Sequence, residues 1–183
     1  MIRFSFTANT RDLRYLSRTD KLLQKALYMA KKDTMRLLKN EAARQVSAQY
    51  WLTQKQVKEA IREEPAGIRV RSGMLSLEKY KISPTHPAGG KRKLLGAVKR
   101  SGGLKPLGNA FLRPARGGGF KPYMRPSNGK GRPKLITGPS IAQTVGNPEI
   151  MERLQARAGE TFQNRADFYV SRLGIFAPKG GWR

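Results

Sequence analysis

Between Thr19 and Tyr50 the apolar residues Leu23, Leu27, Ala30, Leu37, Leu38, Ala42 and Val46 recur at helical spacing, with no Pro or Gly among them. Such a stripe predicts one long amphipathic helix. At 1.5 Å per residue it would reach about 45 Å, the diameter of a small domain, so part of its stripe is expected to serve an intersubunit contact. Ahead of it, "MIRFSF" alternates apolar and polar positions and predicts a short strand. After it, "TQKQVKEAIREE" carries Thr53 and Gln56 at the spacing of a capping box, and Pro65 and Gly67 are expected to end this second helix.

The middle of the chain reads differently. "GIRVRS", "MLSLEKYKIS", "KLLGAVKR", "NAFLRPA", "FKPYMRP" and "PKLITG" are short, partly alternating runs divided by Gly, Pro, Ser and Asn. They predict a twisted antiparallel sheet. Two inserts, "PTHPAGGKRK" and "RPSNGKGRPK", have the Gly, Pro and Lys content of loops, and the basic insertions are expected at about 84–106 and 126–134. A last helix starts at Asn147, an N-cap residue, with Pro148 and Glu149 at first-turn positions that favour a missing amide and a negative charge. Its apolar face runs through Ile150, Leu154, Ala158, Thr161 or Phe162, Phe168 or Tyr169, and Leu173, with Gly174 as the stop. The expectation is one α+β domain over 1–183, with the long N-terminal helix and the C-terminal helix packed on the sheet and basic loops extending from it.

Charge changes this picture. The chain has 37 Lys plus Arg against 12 Asp plus Glu, a formal net charge of +25. No Asp or Glu occurs between Glu78 and Glu149, an interval holding 15 Lys and Arg. An acidic partner is implied, and with 19 Gly and 11 Pro the chain is expected to complete its order in an assembly. The absence of cysteine excludes a disulfide framework and a thiolate zinc site. The N-terminus lacks the apolar core of a signal peptide, and no run approaches the roughly 20 apolar residues of a membrane span, so a soluble, unprocessed chain is expected.

Catalytic chemistry finds little to work with. His86 is the only histidine and reads as an exposed loop residue. Glu59 and Glu63, one helical turn apart amid Lys55, Lys58 and Arg62, read as surface pairing partners. "PSNGKGRPK" resembles a phosphate loop only in part, because Met124 and Gly131 stand where that motif needs Gly and Ser or Thr. No enzyme, cofactor or metal is expected. Basic loops interleaved with Phe120 and Tyr123 suit sequence-independent contact with nucleic-acid phosphates. The candidate cations are Lys91, Arg92, Lys93, Lys99, Arg100, Lys130, Arg132 and Lys134, facing either DNA phosphates or the acidic surface of a protein partner.

The order of elements, together with "NEAARQVSAQYWLTQKQVKEAIR", "NAFLRPARGGGFKPYMR", "PKLITGPSIAQTVGNPEI" and the final amphipathic helix, resembles the minor tail protein Z family, the tail-completion proteins of tailed phages. The third segment is the specific one, similar to that family's Pro-Ile-x-x-Leu-x-Gly-Pro-Ser-Val/Ile signature. Leu135 and Ile136 stand where the family often has a Pro-Ile pair. The resemblance implies a non-catalytic virion protein of the tail and neck, assembled in the host cytoplasm and forming a ring at a sixfold junction, hexameric in the simplest case, at the head-proximal end of the tail. Its implied partners are the tail terminator, the tail tube and the connector, with non-specific contact to phage DNA and none to membrane. In this reading Leu135 and Ile136 end an edge strand, Gly138 permits a turn geometry, and Pro139 fixes the entry to a brief helical turn from Ser140 to Val145. Ile141 and Val145 then point at a neighbour, at the first helix, or into the chain's own core. The alternative is a sequence-independent nucleic-acid-binding protein of ribosome-associated or DNA-packaging type.

Overall fold

The computed structural model describes residues 2–4, 20–65, 67–87, 93–126 and 131–173. The long helix is present as α1, Asp20–Gln49. Its buried stripe runs through Leu23, Ala26, Ala30, Thr34, Met35, Leu38, Ala42, Ala43 and Val46. Thr34 is accommodated there because its hydroxyl donates to the Ala30 carbonyl at 2.8 Å. Leu37, expected on the stripe, is instead 42% exposed, one position off the buried line.

The C-terminal helix packs chiefly on α1 and runs antiparallel to it. This is α4, Pro148–Arg172. At one end Gln49 donates to the Glu149 carboxylate, and at the other the Tyr169 hydroxyl donates to Asp33 at 2.7 Å. Ile150, Leu154 and Ala158 are buried, whereas Thr161, Phe162 and Tyr169 are half-buried. Asn147 caps the helix by accepting from the Glu149 amide at 3.1 Å. Gly174 lies outside the described residues.

The capping box forms as expected at the start of α2, Gln54–Ala60, but this helix is shorter than the sequence suggested. Ile61–Glu64 is a strand, β2, and Pro65 and Gly67 belong to the hairpin joining it to β3, Gly67–Val70. The pairing of Ile61 with Val70 explains the switch, since both side chains are almost wholly buried in the core. Gly67, with φ of 142°, supplies a backbone conformation that side chains resist. β1, Ile2–Phe4, joins the other edge of β3. Glu59 and Glu63 therefore sit on a helix and a strand, not on successive turns of one helix.

The remaining strands are β4 Met74–Ser76, β5 Lys81–Ser83, β6 Leu95–Ala97, β7 Lys105–Pro106, β8 Ala110–Pro114, β9 Phe120–Met124, β10 Lys134–Leu135 and β11 Thr137–Ser140. A 3-10 turn, Leu77–Lys79, separates β4 from β5, and the short helix α3, Ile141–Val145, follows β11. The class is α+β, but among the described residues the single expected sheet is divided into four small antiparallel sheets, ordered β1-β3-β2, β10-β9-β8, β11-β4 and β5-β6-β7. Among the described residues no strand exceeds five residues, and Gly or Pro punctuates most junctions, so no ladder grows wide. Within the interval read as a basic loop at 84–106, β6 and β7 pair, and Leu94 and Ala97 are buried. The core of α1, α2, β3, α3 and α4 is filled by Val46, Val57, Val70, Val145, Ile150 and Leu154.

Candidate functional site

The Gly-Pro-Ser corner is the joint of the molecule. The Ile136 amide donates to the Pro122 carbonyl of β9, and the Ile136 carbonyl accepts from Leu77, tying β9 to the 3-10 turn. Gly138 has no positive φ; what demands glycine is proximity, because a Cβ there would lie 2.7 Å from the Tyr80 ring. The expected turn-geometry role is thus replaced by a close-approach role. Tyr80 lies under the corner and donates its hydroxyl to the Pro139 carbonyl. Burial, with a smaller contribution from Tyr50, pushes its phenol up to about 12.

Ser140 opens the helical turn as a capping box with Gln143, accepting from the Gln143 amide at 3.1 Å while the Gln143 side chain accepts from the Ser140 amide at 2.8 Å. The Ile141 amide donates to Ser72 Oγ at 2.7 Å. Ile141 and Val145 are buried in the chain's own core, against α1, α2 and β3. Of the candidate interface residues, Gly138, Ser140, Ile141 and Val145 are therefore internal, Ile136 and Pro139 are half-buried, and Leu135 is exposed.

Of the candidate cations, Lys91, Arg92 and Lys130 lie outside the described residues. Lys93, Lys99, Arg100, Arg132 and Lys134 are all exposed. Lys99 and Arg100 belong to a cluster that the sequence did not indicate, around Tyr50 and Trp51 at the end of α1. Lys81 Nζ and the Arg100 guanidinium lie 4.1 and 4.3 Å from the Trp51 ring centroid, and Lys99 Nζ lies 5.9 Å from that of Tyr50. Arg100 Nε also donates to the carbonyls of Ser47 and Tyr50, where the helix dipole favours a cation. This cluster accordingly has a structural task, capping α1 and fastening the β5-β6-β7 sheet to it.

A second basic surface lies on the β10-β9-β8 sheet. Register places Phe111 opposite Tyr123 and Leu135 opposite Tyr123, forming one row across three strands, with Arg113 opposite Lys121 in the next row. The Phe111 and Tyr123 rings are 6.4 Å apart. Arg113 covers Tyr123 at 5.5 Å and Arg125 covers Phe111 at 5.3 Å. The alternate residues Leu112 and Pro122 take the other face, where Pro122 is fully buried. Phe120, expected beside Tyr123, is on that other face and meets His86 edge-on at 5.6 Å. The period-2 spacing of Phe111 and Arg113, and of Lys121, Tyr123 and Arg125, was the available signal for this face.

On the β1-β3-β2 sheet Arg69 stands opposite Arg62 across the β2-β3 ladder. Glu64 offsets these like charges through an ion pair with Arg69 at 2.8 Å.

Open depressions occur beside α2, between α1 and α4, and beside Ser72 and Gln143, the middle one about 340 Å³ and lined by Leu37, Arg157, Glu160, Thr161, Asn164, Arg165 and Phe168. Among the described residues no group of three His, Cys, Asp or Glu side chains is close enough to hold a metal ion. No described helix is long and apolar enough to cross a membrane. The chain thus combines an α+β core with dispersed basic surfaces. No protein-family model, curated protein or solved structure matches it.

Proposed function

We propose that this chain is a tail-completion protein of a tailed phage, a non-catalytic component of the neck that joins the tail tube and tail terminator to the connector as a ring. The observation that carries the reading is "PKLITGPSIAQTVGNPEI", which resembles the family's signature and acts here as a mechanical joint. Within this one segment lie the link to β9, the glycine against Tyr80, the capped turn of α3 and the cap of α4. A joint of that kind suits a protein that transmits position between neighbours. The ring, its sixfold order, the virion location and assembly in the host cytoplasm belong to this same proposal.

The buried corner has a consequence for the ring. Neighbours must contact surfaces other than Ile141 and Val145, and the helix pair offers them: Tyr28 is 67% exposed, and Leu37 and Phe168 border the depression between α1 and α4. The test is assembly in extracts lacking this chain, complemented with purified protein. Wild-type protein restores head-to-tail joining and enters the particle. Leu37→Glu combined with Phe168→Glu, both at exposed positions, leaves stability within about 0.5 kcal/mol and blocks incorporation. Failure of the wild-type protein to enter particles contradicts the reading.

A further inference from the structure

We propose that the outward face of the β10-β9-β8 sheet is a platform for single-stranded nucleic acid, with bases stacking on Phe111 and Tyr123 and phosphates meeting Arg113, Lys121 and Arg125. The inference stands on this face alone and does not depend on tail completion. Alternation puts Leu112 and the fully buried Pro122 on one side and Phe111, Arg113, Lys121 and Tyr123 on the other, where Arg113 and Arg125 are exposed and Phe111, Lys121 and Tyr123 half-buried.

Among the described residues no ion pair engages that side. Arg113 and Lys121 stand directly across the ladder, an arrangement of like charges that disfavours the hairpin in isolation. No acidic residue occurs from Lys79 to Asn147 to relieve it, and the ion pairs among the described residues engage Arg44, Arg69, Arg153 and Arg157 instead. A polyanion supplies the missing charge. The Tyr50 and Trp51 cluster differs, because there Arg100 is already committed to helix carbonyls.

The rings decide the kind of polyanion. An acidic protein surface needs only the cations, whereas two neighbouring aromatic rings on a sheet surface, flanked by guanidinium groups, are the means by which proteins hold unpaired bases irrespective of sequence. Here the rings are 6.4 Å apart and each is overlaid by an arginine, so a base can take the place of the guanidinium, which then swings to a phosphate. A duplex hides its base faces and would engage the cations only.

The experiment is fluorescence anisotropy of the full-length protein with labelled oligothymidylate, against a duplex and polyglutamate of matched charge, over a salt series. Because the whole chain is basic, the informative quantities are differences between variants. Phe111→Leu with Tyr123→Leu is expected to weaken oligothymidylate binding about tenfold or more with an unchanged salt slope, and to leave polyglutamate binding unaltered. Arg113→Gln, Lys121→Gln and Arg125→Gln together remove three phosphate contacts, reducing the slope of log K against log salt by about 2. Circular dichroism confirms folding, and if the double ring variant does not fold, Tyr123→Leu alone takes its place. Unchanged oligothymidylate affinity in the folded ring variant, or polyglutamate binding as tight as oligothymidylate, overturns the proposal.

Discussion

Gly138 illustrates how a single residue can be legible in kind and hidden in cause. The sequence marks it as a special glycine before Pro139, yet its partner, Tyr80, lies far away along the chain and is found only in three dimensions. Because the Tyr80 hydroxyl is anchored on the Pro139 carbonyl, the ring cannot readily yield. Gly138→Val is therefore expected to destabilise the fold by about 1–3 kcal/mol in urea melts, and any assembly defect it causes follows from that loss. Tyr80 adds a pH signature. Its folded value of about 12 exceeds the unfolded 10.0, so its contribution to stability is full below pH 10 and is lost as pH rises from there toward 12. Tyr169, raised by its hydrogen bond to Asp33, acts in the same direction. Comparing urea midpoints at about pH 9 and about pH 11 isolates Tyr80: the alkaline drop should be smaller in Tyr80→Phe than in the parent. Glu64→Gln removes the ion pair with Arg69, which stands opposite Arg62, and a loss of about 1 kcal/mol, shrinking at high salt, is the expected result.

At the scale of elements, what could be read locally was read well. α1, the capping box of α2, the turn of α3 and the Asn147 cap all rest on interactions within a few residues, so their signals are written contiguously. β2 was missed because its reason for being a strand is Val70 across the hairpin, while its own "IREE" continues a helical pattern. The four sheets escaped the sequence for a similar reason: β11 pairs with β4, and β3 with β1, over long sequence separations. These caps and contacts also give measurable energies. Ser140→Ala deprives the Gln143 amide of its acceptor and should cost about 1 kcal/mol. Leu154→Ala removes an almost wholly buried side chain of α4 from the core, with an expected loss of about 2–5 kcal/mol. Thermal and urea unfolding check both, and a Leu154→Ala loss below that of Ser140→Ala would place the core elsewhere.

For the whole molecule, the charge was evident from composition, but its placement was not. Among the described residues, cations gather around Trp51 and on the β10-β9-β8 face, and Arg62 pairs across the ladder with Arg69. Loop cations were conspicuous in Gly-Lys runs, whereas strand cations were hidden by their apolar neighbours. Copies arranged in a ring would concentrate this charge, so stable assembly requires acidic partners or nucleic acid to offset it. Incorporation into particles should consequently weaken as salt is raised, a trend that sedimentation of assembled tails can follow. The decisive measurement is electron cryomicroscopy of intact particles from cells that express this chain. Tail completion predicts a symmetric ring at the junction of tail and head whose density fits the antiparallel α1-α4 pair, with Tyr28, Leu37 or Phe168 against a neighbour. Complete, infectious particles without this chain at that junction would contradict it.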